Sequence, residues 1–174
     1  MANLKEIRNR ITSVDSTMQI TSAMKMVSAA KLKRAQDKFD QMRPYAFKLQ
    51  EILSSLSSSL DMSENAYASD KEVENVLLLC ITSNRGLCGG FNNYVIKETK
   101  RLATEEYAGK NVSVLSIGKK ANDAFKRSEY NIKGTYLPGK LEELWNDLSF
   151  EKVAPAAEKI MKAYTDGHID KVVM

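Results

Sequence analysis

The 174-residue sequence has little of what enzymes and metalloproteins are built from. It contains one histidine, His168, and two cysteines, Cys80 and Cys88. Those cysteines lack metal-ligand spacing, and no second Cys or His cluster completes a zinc-type set. They read as two reduced thiols in or beside a core. His168 stands in an Asp166-Gly167-His168 turn without an evident partner nearby, which all but excludes a histidine-dependent triad. Long apolar runs are also missing. The longest, Val76-Leu77-Leu78-Leu79-Cys80-Ile81, is strand-sized, whereas roughly 20 residues are needed to span a bilayer. The amino terminus has no apolar core of the signal-peptide kind. It is Arg-containing and amphipathic like a transit peptide, but Glu6 and Asp15 argue against one. The expectation is a soluble protein made in the cytoplasm.

What is present suffices for a core: 43% of residues are hydrophobic and 28% charged, an ordinary balance for one globular domain with an appendage. The net charge of +4 is unevenly spread. Residues 1–50 hold ten Lys or Arg against four Asp or Glu, a balance of +6, so the remainder carries −2. Whatever the first segment touches is expected to be acidic.

Helix breakers are nearly absent from Leu4 to Leu60, where Pro44 is the sole proline. Counting in sevens from Leu4 gives Leu4, Ile11, Met18, Lys25, Leu32, Phe39, Ala46, Leu53 and Leu60. The interleaved row is Ile7, Val14, Thr21, Ser28, Ala35, Met42, Leu49 and Leu56. Two mostly apolar rows sustained this far predict one half of a coiled coil over residues 1–60. Such a helix is about 85 Å long at ~1.5 Å per residue. A compact globule of this size has a radius of gyration of only about 16 Å, so the helix must project and its seam needs a partner. No second helix of comparable length follows, so the partner is expected from another chain or from sequence not present. Pro44 is expected to kink or relieve the helix near residues 40–44.

The middle of the seam departs from the pattern. Thr21, Lys25 and Ser28 replace large apolar residues among Ser22, Ala23, Ala29 and Ala30, with Met18, Met24, Met26 and Met42 adding flexible contacts. This stretch reads either as a soft spot in a coiled coil or as a smooth shaft that slides against a surrounding surface. Lys31, Lys33, Arg34 and Lys38 form a basic patch beyond it, read either as a solvated face or as a docking surface.

The polar residues 61–75 read as a linker, and 76–174 as an open α/β domain. Strands are expected at Val76–Thr82, Val112–Ile117 and Asn131–Leu137, and a fourth begins at Lys171–Met174. Helices are expected at Phe91–Tyr107, Lys119–Ser128 and Leu148–Tyr164, with Pro155 a doubtful point. Alternating strands and helices imply a mainly parallel sheet covered on both faces. Val172-Val173-Met174 lacks a terminating turn, so the domain is read as incomplete at its carboxyl end.

The loop after the first strand, Ser83-Asn84-Arg85-Gly86-Leu87-Cys88-Gly89-Gly90-Phe91-Asn92, sits where phosphate-binding loops sit. Its glycines do not match G-x-G-x-x-G, and no Lys-Ser or Lys-Thr pair makes it a Walker loop. Arg85 beside a helix start leaves anion binding open, and a tight strand-to-helix turn is the plainer reading. Glu105-Glu106 and Glu142-Glu143 read as solvated surface, and no nucleophile elbow is present. No cofactor is expected.

Two stretches carry a resemblance. Ile20-Thr21-Ser22-Ala23-Met24-Lys25-Met26-Val27-Ser28-Ala29-Ala30-Lys31-Leu32 resembles the N-terminal helix of ATP synthase gamma subunits. Ile81 through Asn92 resembles that family's strand-and-loop signature, and Leu4-Lys5-Glu6-Ile7-Arg8-Asn9-Arg10-Ile11 fits as well. The resemblance runs along the whole chain in order, loosely between about 119 and 165. It implies a non-catalytic subunit whose two terminal helices wind together inside a ring of alpha and beta subunits. A Rossmann-like domain then lies outside the ring, near the epsilon subunit and the c-ring of Fo. Proton-driven rotation of this rotor forces the beta subunits through their nucleotide-binding states and so couples to ATP synthesis. The complex sits on the cytoplasmic face of the bacterial inner membrane, with the subunit peripheral. By this resemblance Thr21, Met24, Lys25, Ser28, Lys31, Lys33 and Arg34 face the beta subunits' acidic lever region. The family's long C-terminal helix lies beyond this chain's end, and it is the missing partner that the heptads demand. Two rivals remain: a basic coiled coil binding nucleic acid through Lys31, Lys33, Arg34 and Lys38, and a nucleotide-binding α/β enzyme fragment.

Overall fold

The computed structural model describes residues 3–59, 66–67, 72–132, 135–139 and 141–174. The chain divides into two compact units, Met1–Asp61 and Met62–Met174.

The first unit is a single helix, α1, Leu4–Ser59. No glycine precedes Gly86, so nothing but Pro44 loosens the backbone. Asn3 opens the helix: its carbonyl accepts the Glu6 and Ile7 N–H groups at 2.8 and 3.1 Å, and its side-chain Oδ1 accepts that of Lys5 at 3.3 Å. The helix runs through Pro44 without a break. On either side, the Arg43 guanidinium lies over the rings of Phe39 and Phe47, 5.9 and 5.4 Å from their centroids. Both heptad rows are exposed along the described side chains, with Leu4 at 75%, Met18 at 62% and Leu53 at 63%. Leu60, which would close one row, lies outside the described residues.

The second unit is an α/β layer structure. Its strands are β1 (Asn75–Ile81), β2 (Asn111–Ile117) and β3 (Lys171–Val173), all parallel in the order β2-β1-β3. Between β1 and β2 runs α2 (Phe91–Arg101), extended by a wide π turn, Leu102–Glu106. After β2 come α3 (Lys119–Phe125), a 3-10 turn at Glu142–Asn146, and α4 (Phe150–Thr165). Of the stretch 61–75 expected to be a linker, 61–65 and 68–71 lie outside the described residues.

The unbroken apolar run of β1 is explained by its central position. Val76, Leu78 and Cys80 face one core with Ala103 and Tyr107 from the π turn and its end, Val114 of β2 and Ala121 and Phe125 of α3, and Val95 and Ile96 of α2 pack against it. Leu77 faces the opposite core with Leu115, Leu137, Leu141, Ala163 and Ile169, and Ile160 of α4 packs there. A strand buried on both faces cannot alternate with polar residues. The π turn has a packing role here. The Tyr107 N–H reaches back five residues to the Leu102 carbonyl at 2.9 Å, and both Ala103 and Tyr107 enter the core.

At the amino ends of the strands, the Asp170 carboxylate binds the sheet together. Its Oδ2 accepts the Glu74 and Asn75 backbone N–H groups at 3.1 and 2.8 Å and the Asn75 side-chain amide at 3.0 Å. Asn75 in turn accepts from the Asn111 side chain at 3.2 Å.

Several expected boundaries are corrected. Asn131–Leu137 is not a strand among its described residues: only a single parallel bridge, Val114↔Asn131, forms. Leu137 instead turns into the core on the α4 side, and the Tyr136 ring leans on His168 at 4.8 Å. Residues 133 and 134 of that run lie outside the described set. The helix after β2 stops at Phe125 rather than Ser128. Its next turn is taken up by Ser128, whose N–H and hydroxyl both donate to the Phe125 carbonyl. The last helix begins at Phe150 rather than Leu148 and accommodates Pro155.

Gly118, between β2 and α3, has φ 106°, and a Cβ there would lie 2.1 Å from the Thr82 carbonyl oxygen. Gly109 has φ 79° but open space around it. Gly118→Ala is therefore expected to cost about 3 kcal/mol or more, against about 1 kcal/mol for Gly109→Ala. Phe125→Ala, which empties a fully buried site, should cost about 3–5 kcal/mol. Urea unfolding followed by Trp145 fluorescence measures all three. Equal costs for the two glycine variants would remove the steric account of Gly118.

Candidate functional site

Along α1, helical geometry sorts the seven residues singled out in the sequence. At about 100° per residue, Thr21, Met24, Lys25, Ser28 and Lys31 fall within an arc of roughly 120°. Arg34 lies farther round, beside Lys31 and Lys38. Lys33 points to the other side and pairs with Asp37 at 2.9 Å, an exposed i,i+4 contact. The basic stripe is therefore Lys31, Arg34 and Lys38, and Lys33 does not join it. The Thr21 hydroxyl donates to the Thr17 carbonyl at 2.8 Å, as Thr17 does to Ser13. These two threonine hydroxyls are thus spent on the helix's own backbone. All of these side chains are exposed.

The loop Ser83–Asn92 lies at the carboxyl end of β1. Because β2 and β3 flank β1 on opposite sides, this is the point where the strand order reverses, the usual ligand crevice of doubly wound sheets. Here, however, the loop's polar groups are turned inward. Asn92, 8% exposed, accepts the Ser83 N–H at 3.0 Å and donates to the Ser83 hydroxyl at 2.9 Å and to the Cys88 sulfur at 3.1 Å. The three residues after β1 close the start of α3. Thr82 Oγ1 accepts the Ala121 N–H at 2.8 Å, the Ser83 carbonyl that of Lys120 at 3.3 Å, and Asn84 Oδ1 that of Lys119 at 2.8 Å. Thr82 is fully buried and also donates its N–H to the Ile117 carbonyl at 2.8 Å.

At its tip, the loop presents apolar groups. Leu87 holds a left-handed backbone with φ 62° and is fully exposed, and Phe91 and Tyr94 are also exposed. A non-glycine residue held left-handed stores strain, which persists where the surroundings dictate it. Gly89 takes φ 60°, and a Cβ on Gly90 would strike the Tyr94 ring at 2.8 Å. Gly86, Leu87, Cys88 and Gly89 form the exposed rim with Arg85. Among the described residues no group of three His, Cys, Asp or Glu is placed to hold a metal ion. The capping of α3 by Thr82, Ser83 and Asn84 has no signal in the sequence, since the partners lie 35 or more residues apart.

The two thiols differ sharply. Cys80 is buried, and burial raises its pKa above the ordinary value, only partly offset by its side-chain contact with Thr99; Cys88 is exposed. One thiol per folded chain, Cys88, should therefore react with a thiol reagent at pH 8, and the second only on unfolding. With its folded pKa raised, Cys80 contributes stability that is complete below the ordinary thiol value of 9.0 and is lost as the pH rises above it. Asn92→Ala removes one partner from three contacts, and the expected loss is about 1–3 kcal/mol with faster proteolysis inside 83–92. Unchanged stability and cleavage would show that Asn92 does not hold the loop.

The comparisons with known proteins bear on the whole chain. Residues 3–174 match the family model described as ATP synthase. The chain is 50% identical over 175 residues to the ATP synthase gamma chain of Christiangramia forsetii, covering 100% of this chain and 59% of that protein. It is 54% identical to the ATP synthase gamma chain of Flavobacterium johnsoniae, covering 99% of this chain and 58% of that protein. The ATP synthase gamma chain of Chlorobium phaeobacteroides is 48% identical, with 100% of this chain and 59% of that protein covered. The chain thus spans a little under three-fifths of the length of these curated relatives. An end-to-end match at half identity leaves one family: the chain belongs to the ATP synthase gamma chains.

Proposed function

We propose that this chain is part of the central rotor of an F-type ATP synthase, itself non-catalytic, which couples proton-driven rotation to ATP synthesis at the beta subunits. The observation that carries the reading is α1: a 56-residue helix with both heptad rows exposed along its described length. A stripe of that length is useful only when covered, and the proposed cover is a long C-terminal helix of the same polypeptide, completing a two-stranded shaft. Around the shaft stand the alpha and beta subunits. Thr21, Met24, Lys25, Ser28 and Lys31 form the slim bearing face, and Lys31, Arg34 and Lys38 meet acidic groups of the beta subunits. Lys33, turned away and paired with Asp37, contributes less.

In this reading residues 61–75 link the shaft to the α/β domain of 76–174, which lies near the epsilon subunit and the c-ring of Fo. The signature loop Asn84–Asn92 presents Leu87 and Arg85 toward a neighbouring subunit, and its inward polar groups hold that presentation. No helix among the described residues is long and apolar enough to cross a membrane. The proposed attachment is peripheral, through the complex, on the cytoplasmic face of the bacterial inner membrane. Neither a cofactor nor nucleic acid enters the mechanism.

The test is to purify the tagged gene product from its own cells and to reverse the charges on the stripe. Alpha and beta subunits should copurify in stoichiometric amounts. Lys31→Glu with Arg34→Glu should lower ATP-driven proton pumping by about tenfold or more, the equivalent of about 1.4 kcal/mol. Lys33→Glu alone should change it by less than about twofold. A product free of alpha and beta subunits would overturn the reading, and equal losses for the three lysine and arginine positions would overturn the proposed face.

A further inference from the structure

Asn84 sits where three pieces of the α/β domain meet, and both ends of its amide are engaged. Its Oδ1 accepts the Lys119 N–H at 2.8 Å, at the first turn of α3. Its Nδ2 donates to the Glu142 carbonyl at 2.8 Å, at the start of the 3-10 turn. Glu142 is also gripped from α3, since the Asn122 side-chain amide donates to its carboxylate. In the chain, Asn84 follows Ser83, which Asn92 holds by its N–H and its hydroxyl.

We infer that Asn84 is a two-handed latch that makes the loop 83–92, the start of α3 and the 142–146 turn move as one block. The geometry of an amide gives the reason. Turning the group over would set its NH2 against the Lys119 N–H and its oxygen against the Glu142 carbonyl, so both contacts fail together. While the amide stays seated, the loop is therefore tied to α3 and to the 142–146 turn through different atoms of one side chain. The partners reach well beyond the loop. Leu141 and Leu144, on either side of Glu142, pack into the core on the α4 side of the sheet. Thr82 and Asn84 close α3, whose Ala121 and Phe125 lie in the other core. A load on the exposed loop is thereby passed into both faces of the sheet instead of being absorbed by bending of the loop. The latch belongs to the fold of the α/β domain and does not depend on the rotor role.

Amide hydrogen exchange on the full chain tests it with two variants that attack the latch from opposite sides. Asn84→Asp keeps the acceptor for Lys119 and loses the donor to Glu142. It should speed exchange across Glu142–Asn146 by about tenfold or more, while Lys119–Ala121 stay within about twofold. Asn122→Ala loosens Glu142 without touching the loop directly, and should speed exchange across Ser83–Asn92 by about threefold or more. Unchanged exchange at 142–146 in the first variant would overturn the latch, as would loosening of 142–146 alone in the second. If the aspartate variant does not fold, Asn122→Ala decides by itself.

Discussion

An apolar stripe on a helix of this length cannot be covered by the helix that carries it, and the reading of the chain follows from that constraint. α1 is about 84 Å long at ~1.5 Å per residue, and its described side chains are all exposed. Moving a Leu, Ile or Met from half-exposed to buried is worth about 1 kcal/mol, so a partner helix along the two rows supplies the stability that intrinsic propensity does not. The same stripe is interrupted at Thr21, Lys25 and Ser28. A lysine and two small hydroxyl residues there weaken the seam locally and narrow it. Thr21 there ties its hydroxyl to the helix's own backbone, through the Thr17 carbonyl.

The α/β domain answers to a different constraint, the burial of β1 on both faces. That strand feeds two cores with alternate side chains and continues into Thr82, Ser83 and Asn84, which close α3. The loop that follows is thus built from the inside: polar groups inward, and Leu87 held outward in a left-handed backbone. This arrangement suits a rigid surface feature. It leaves the start of α3, which would otherwise offer N–H groups to an anion, occupied by the chain's own oxygens.

Where the sequence was legible, the signal was periodic or local. Two rows of apolar residues every seven positions disclose α1, and the short unbroken apolar run from Val76 to Ile81 reads as a buried strand. The glycine-rich segment between a strand and a helix is visible in the same way, as is the parallel alternation of elements. Contacts between distant residues leave no such trace. The engagement of Asn84 by Lys119 and Glu142, the grip of Asp170 on the first strand, and the inward turn of Leu137 depend on partners that the fold alone brings together. The basic patch shows the intermediate case. Its existence is read from composition, but only helical geometry separates Lys33 from Lys31, Arg34 and Lys38.

The central claim is that α1 is one strand of a two-helix shaft. Electron cryomicroscopy of the complex purified through this gene product tests it most directly. The account predicts a second long helix packed along Leu4, Ile11, Met18, Leu32, Phe39 and Leu53 and along Ile7, Val14, Met42, Leu49 and Leu56, with the Thr21–Ser28 face turned toward a surrounding ring. A map in which those rows face solvent, or in which α1 stands without a second helix, would contradict it.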